Sequence, residues 1–66
     1  MKSFRVWEGS KVEYSDYQAK DVFIIMNRFF GRSQKLSLQK DQDGTMQVLK
    51  ELKQGGYNVI GKIREL

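Results

Sequence analysis

The sequence predicts an α+β fold in two layers, with about four strands and two helices on one face of the sheet, in the order β-β-α-β-α-β. Three observations lead to this prediction. Apolar and polar residues alternate near both ends of the chain, two stretches repeat apolar residues at helical spacing, and clusters of Gly or Asp separate the segments. The 66 residues are too few for several domains, so residues 1–66 are expected to form a single small domain.

Two strands are predicted at the start of the chain, over residues 4–8 and 11–14. Gly9 stands at the first position of a two-residue connection, where a type II′ turn favours Gly. The resulting hairpin would place Arg5 opposite Tyr14.

A helix is predicted next, over residues 16–30. Ser15 and Gln18 have the spacing of a capping box, and Gly31 follows as a C-terminal cap. The apolar positions of its buried face would be Ala19, Val22, Phe23, Met26, Phe29 and Phe30. A strand over residues 22–26 is the alternative, because Val, Phe and Ile favour strands and two Ile residues lie off the helical stripe.

The second half of the chain is predicted to contain a strand over residues 35–40 and a helix over residues 45–54. Polar and apolar residues alternate in the first of these segments, and a turn rich in Asp and Gly follows it. Asp43 or Thr45 would cap the helix, and a pair of Gly residues would end it.

The last strand is predicted over residues 57–64, where Gly61 marks a bulge or a close approach of another group. With the segments 35–40 and 45–54 it would form a strand-helix-strand crossover, whose two strands should be parallel. Both helices would then cover one face of the sheet. The other face would be open to a partner.

The composition excludes several kinds of site. The chain has no Cys and no His, which removes disulfides, thiolate metal sites, catalytic triads and nearly all zinc sites. No segment has the apolar length of a membrane span or the pattern of a signal peptide. We therefore expect no enzymatic activity, no metal, no cofactor and no membrane contact, and a cytoplasmic location.

The net charge of +4 arises in one basic segment, residues 28–40. Arg28, Arg32, Lys35 and Lys40 occur there without any acid, whereas acids and bases balance in the rest of the chain. Such a segment is typical of an anion-binding surface. It is also typical of bases that stabilise a helix C-terminus and keep a loop hydrated. Both interpretations stay open.

The start of the chain carries a Phe-Arg-x-Trp motif, in the run Phe4, Arg5, Val6, Trp7, Glu8 and Gly9, with Val12 and Tyr14 after it. This stretch resembles the start of small phage and prophage proteins of the YopX-like kind. The resemblance implies a phage or mobile-element origin, and it carries no functional residue onto this chain.

Together these features predict a non-catalytic small interaction module, a phage-encoded regulator that binds a host or self protein. The partner would be another protein, for example one with an acidic surface, or a second copy of the chain. It would be bound on the open face of the sheet or by Arg28, Arg32, Lys35 and Lys40. The alternative is a nucleic-acid-binding protein that uses the basic segment 28–40.

Overall fold

The computed structural model describes residues 1–66 and contains five strands and one helix. The elements are β1 (Lys2–Glu8), β2 (Ser15–Ala19), α1 (Val22–Phe30), β3 (Leu36–Lys40), β4 (Met46–Glu51) and β5 (Tyr57–Glu65). The strands form one sheet in the order β2-β1-β5-β4-β3, and every neighbouring pair is antiparallel. The predicted α+β fold with two helices and a parallel crossover is therefore wrong. The chain is mostly antiparallel sheet with one short helix.

The first hairpin differs from the prediction in its turn and its register. Residues 9–14 form a loop rather than a two-residue turn and a strand, and β1 pairs with β2 further along the chain. Arg5 faces Asp16 in this register, not Tyr14. The pairing of opposite charges across the strands favours this register over the shorter hairpin.

The helix is present but begins at Val22 instead of residue 16. Asp21 is its N-cap, since its Oδ1 accepts a hydrogen bond of 3.1 Å from the Ile24 amide. Gly31 ends the helix as predicted, with a φ of 87° and an amide that donates to the Asn27 carbonyl. The capping box predicted at Ser15 lies in β2, where pairing with β1 overrides the local pattern.

The buried face of α1 keeps Val22, Met26, Phe29 and Phe30 of the predicted stripe, and Ile25 takes the place of Phe23. Ile25 and Met26 are buried, while the side chain of Phe23 is 58% exposed. The helix begins six residues later than predicted. Its contacts with β1, β2 and β5, rather than the apolar pattern of the longer predicted helix, determine which residues are buried.

A β-hairpin replaces the helix predicted over residues 45–54. The Asp43 carboxylate accepts a hydrogen bond of 2.9 Å from the Thr45 amide inside the turn that joins β3 and β4. Gly44 has a φ of 89° in that turn, a conformation that Gly adopts without strain. The Asp that was expected to cap a helix thus closes a hairpin, since the same side-chain hydrogen bond serves both structures.

The core lies between α1 and one face of the sheet. Its buried apolar residues are Phe4, Val6, Ala19, Ile25, Met26, Val48 and Ile63. The register of β4 and β5 shifts beside Val48, so that Ile60 has no partner on β4 and forms a bulge. Gly61 follows it, and the Phe30 ring lies against its Cα. The predicted bulge and close approach are both confirmed.

Candidate functional site

The candidate site lies on the face of the sheet opposite α1, which we call the open face. Side chains alternate along a strand, so Arg5 and Trp7 lie on the opposite side of β1 from its buried core positions. Arg64 of β5 is the cross-strand partner of Arg5, and Lys62 is the partner of Trp7. The two strands therefore place an indole ring beside three basic side chains.

Arg5 is held in place by an acid and an aromatic ring. Its Nε and Nη2 atoms donate to the two carboxylate oxygens of Asp16 at 2.9 and 3.0 Å, a bidentate arrangement. Its guanidinium carbon lies 4.0 Å from the centroid of the Tyr14 ring. The hydrogen bonds from Arg5 lower the pKa of the Asp16 carboxyl, so the pair is ionised at neutral pH.

Trp7 and Tyr14 form an aromatic pair next to this ion pair. Their ring centroids are 6.0 Å apart with the planes inclined at 59°, a tilted geometry that aromatic rings favour over a flat sandwich. Tyr14 belongs to the loop 9–14, so the contact holds that loop over the open face. The Gly9 amide ties the start of the loop to β5 by donating to the Ile60 carbonyl at 2.9 Å.

A cleft of about 420 Å³ lies over this part of the open face. The strand residues that line it are Trp7, Lys62 and Arg64. The loop 9–14 contributes Lys11 to one wall, and the turn 41–45 contributes Asp41 and Asp43 to the other.

Three bases of the cleft, Lys11, Lys62 and Arg64, have no carboxylate within ion-pairing distance. The ion pairs of the chain are Arg5 with Asp16 and Lys2 with Glu65. Basic side chains without an ion-pair partner keep their charge available for an incoming anion, although Arg64 also lies near enough to Asp43 for their charges to interact. The cleft therefore combines three basic side chains, two carboxylates and an aromatic ring.

The two acids in the wall of the cleft are engaged by the turn itself. The Asp43 amide donates to Asp41 Oδ1 at 3.3 Å, and the Thr45 amide donates to Asp43 Oδ1 at 2.9 Å. A hydrogen bond from Asp41, followed by those from Thr45, lowers the pKa of Asp43 to about 2, while the bond to Asp43 raises the pKa of Asp41. Asp43 is therefore the more acidic carboxyl of the pair.

The stability of the fold should depend on pH through Asp43. Its pKa is lower in the folded chain than its ordinary value of 3.8, so its contribution is complete above about pH 4 and is lost as the pH falls toward 2. Asp43→Asn keeps an acceptor for the Thr45 amide but cannot titrate, so we expect this variant to lose less stability as the pH falls from about 4 to 2. Urea unfolding midpoints measured across that range test the prediction. An equal loss in the variant and the unchanged chain would assign the pH dependence to other carboxylates.

The four bases predicted as a partner-binding site are not brought together. Arg28 and Arg32 line one shallow depression with Ile24 and Asn27. Lys40 lines a different cleft, of about 540 Å³, beside the N-terminal end of α1. Lys35 lies in the loop before β3, where its amide donates to Ser33 Oγ at 3.1 Å. Partner binding by these four residues stays a prediction.

Sequence reasoning missed Lys11, Lys62 and Arg64 as neighbours. They come from parts of the chain in which acids and bases balance, so a count along the sequence shows no excess there. The pairing of β1 with β5, which are the first and last elements of the chain, creates the basic cluster. A signal was nevertheless present in the alternation of Lys62 and Arg64 with apolar residues, which placed both on one side of a predicted strand.

Comparisons with known proteins matched no family model, no curated protein and no solved structure. The structure has no helix with the length and apolarity needed to cross a membrane. No three acidic side chains lie close enough together to hold a metal ion.

Proposed function

We propose that this chain is a non-catalytic interaction module that binds an anionic partner in the cleft over the open face. The observation that carries the proposal is the juxtaposition of Trp7 with the unpaired bases Lys11, Lys62 and Arg64. Charge attracts the partner, and the indole supplies a flat apolar contact at the centre, which is the composition of binding hot spots.

A binding role agrees with the chemistry of the cleft better than a catalytic one. Of the acids that line it, Asp43 is occupied by the Thr45 amide and Asp41 by the Asp43 amide. The chain contains neither His nor Cys, the usual acid-base and nucleophilic groups. The basic side chains and the ring provide attraction and contact area for a partner.

The remaining parts of the proposal concern origin and place. We propose a phage or mobile-element origin, which the YopX-like resemblance of residues 4–14 supports, and a cytoplasmic location. In that setting the chain would act as a small regulator by occupying an anionic surface of its partner.

Charge reversal tests where the partner binds. The variant Lys62→Glu, Arg64→Glu changes two bases of the open face, and Arg28→Glu, Arg32→Glu makes the same change in charge in the basic segment. We expect the partner that co-purifies with the unchanged chain to be lost with the first variant and retained with the second. Far-UV circular dichroism establishes that each variant is folded.

Mass spectrometry of the co-purified material, with and without nuclease treatment, identifies the partner and its chemical class. Loss of the partner with Arg28→Glu, Arg32→Glu and its retention with Lys62→Glu, Arg64→Glu would overturn the proposal and assign binding to the basic segment 28–40.

A further inference from the structure

We infer that the anionic partner is a single-stranded nucleic acid. One unpaired nucleobase would lie against Trp7, and the phosphates of the nucleic acid would contact Lys11, Lys62 and Arg64. This inference rests on the proposed function and names the occupant of the same cleft. The evidence is one cleft of about 420 Å³ that combines an aromatic ring, basic side chains without ion-pair partners, and two carboxylates.

The indole favours a nucleic acid over an acidic peptide. Every nucleobase has a flat π-face that stacks on an aromatic side chain, whereas Asp and Glu side chains offer none. Trp7, Lys11 and Lys62 line the same cleft, and Trp7 is the cross-strand partner of Lys62. A nucleic-acid strand whose phosphates contact these lysines therefore brings a nucleobase close to the ring. Tyr14 supports the indole from the side, at a centroid distance of 6.0 Å.

The acids in the wall separate the same two candidates. Asp43 is ionised, with its pKa lowered to about 2, and would repel the carboxylates of an acidic peptide. Nucleobases instead carry amino groups that donate hydrogen bonds to carboxylate oxygens. The acidic wall therefore disfavours an acidic side chain in the cleft more than it disfavours a nucleobase.

The acidic wall also disfavours double-stranded DNA or RNA. A duplex has two phosphate backbones, and the basic side chains of this cleft lie on the strands, at Lys62 and Arg64, and on one wall, at Lys11. The second backbone would approach Asp41 and Asp43 on the turn 41–45, where the charges are alike. Stacking on Trp7 further requires a base that is not already paired and stacked.

The test is fluorescence anisotropy of a labelled single strand of mixed sequence, about 12 nucleotides long. With three phosphate contacts, the logarithm of the binding constant should fall against the logarithm of the salt concentration with a slope of about −2. Affinity should therefore fall roughly 20-fold between about 50 and 200 mM salt. Replacing Trp7 by Ala should weaken binding by about 5- to 150-fold, the range of one lost base stack. Trp7→Phe should restore most of it, since Phe also stacks.

Matched variants and ligands make the test specific. Lys62→Ala with Arg64→Ala should reduce the salt slope by roughly 1.4, whereas Arg28→Ala with Arg32→Ala should leave affinity and slope unchanged. The duplex of the same sequence should bind at least about tenfold more weakly than the single strand, because pairing removes the stack on Trp7. Binding that is as strong for the duplex would overturn the inference.

An absence of single-strand binding up to about 0.1 mM at low salt, the weak limit of non-specific nucleic-acid affinity, would also overturn it. The proposed function would survive that result if a nuclease-resistant protein partner were lost on charge reversal of Lys62 and Arg64. The two failures are therefore distinguishable.

Discussion

Phe4→Ala should lower the free energy of unfolding by about 3–5 kcal/mol, the usual cost of truncating a buried Phe. Phe4 is 1% exposed and is among the largest fully buried side chains of the chain. It lies on β1 between β2 and β5, opposite Tyr17 and Glu65, so a cavity there would adjoin three strands. A single core in a chain this short supplies at most about 3–5 kcal/mol, so the variant should be largely unfolded at room temperature.

Urea unfolding followed by circular dichroism measures the effect, and Phe23→Ala is the matched control. Phe23 is 58% exposed on the outer side of α1, so the same substitution should change stability by less than about 0.5 kcal/mol. Equal losses of stability for Phe4→Ala and Phe23→Ala would contradict the difference in burial between the two side chains. A loss for Phe23→Ala that grows with protein concentration would show that its exposed ring is covered by a second copy.

Strands in which polar and apolar residues alternate regularly were predicted from the sequence. The prediction was wrong where the same local hydrogen bond occurs in both a helix cap and a turn. The segments 35–40 and 57–64 were predicted correctly to within a residue at each end. The segment 45–54 was not, because Asp43 hydrogen-bonds a backbone amide two residues on in a turn as readily as it caps a helix. Only the pairing of β4 with both β3 and β5 decides between them.

The start of α1 could not be predicted from local patterns for a similar reason. Ser15 and Gln18 fit a capping box, but β2 gains a full ladder of hydrogen bonds by pairing with β1. Arg5 and Asp16, eleven residues apart in the chain, close a bidentate ion pair across that ladder. Such a contact between distant residues leaves no periodic trace in the sequence.

The candidate site shows the same limit more strongly. The sequence placed the charge excess in residues 28–40. In the structure Arg28 and Arg32 line one depression, Lys40 lines a separate cleft, and Lys35 lines neither. The basic cluster on the open face instead joins Lys11 to Lys62 and Arg64 across the whole length of the chain. What the sequence did predict was an open sheet face available to a partner, and the single helix leaves such a face.

Gly61→Ala should be the most damaging small substitution in the sheet. In a strand interior an Ala is ordinarily more stable than Gly by about 0.5–1 kcal/mol. At Gly61, however, a Cβ would collide with the Phe30 ring and lie 2.6 Å from the Trp7 carbonyl oxygen. Overpacking of this kind costs about 1–3 kcal/mol, so we expect a net loss of stability measured by urea unfolding. A gain would mean that α1 moves away from the sheet at little cost.

A double-mutant cycle with Phe30→Ala separates the two collisions. Removing the ring gives the new methyl group space on the helix side, so Gly61→Ala should cost less in that background, with a coupling of about 0.5–3 kcal/mol. The cost should not vanish, because the Trp7 carbonyl belongs to the backbone of β1 and cannot move without breaking its pairing with β5. Complete additivity in the cycle would show that the Phe30 ring does not rest on Gly61. Complete rescue would show that the ring is the only obstacle.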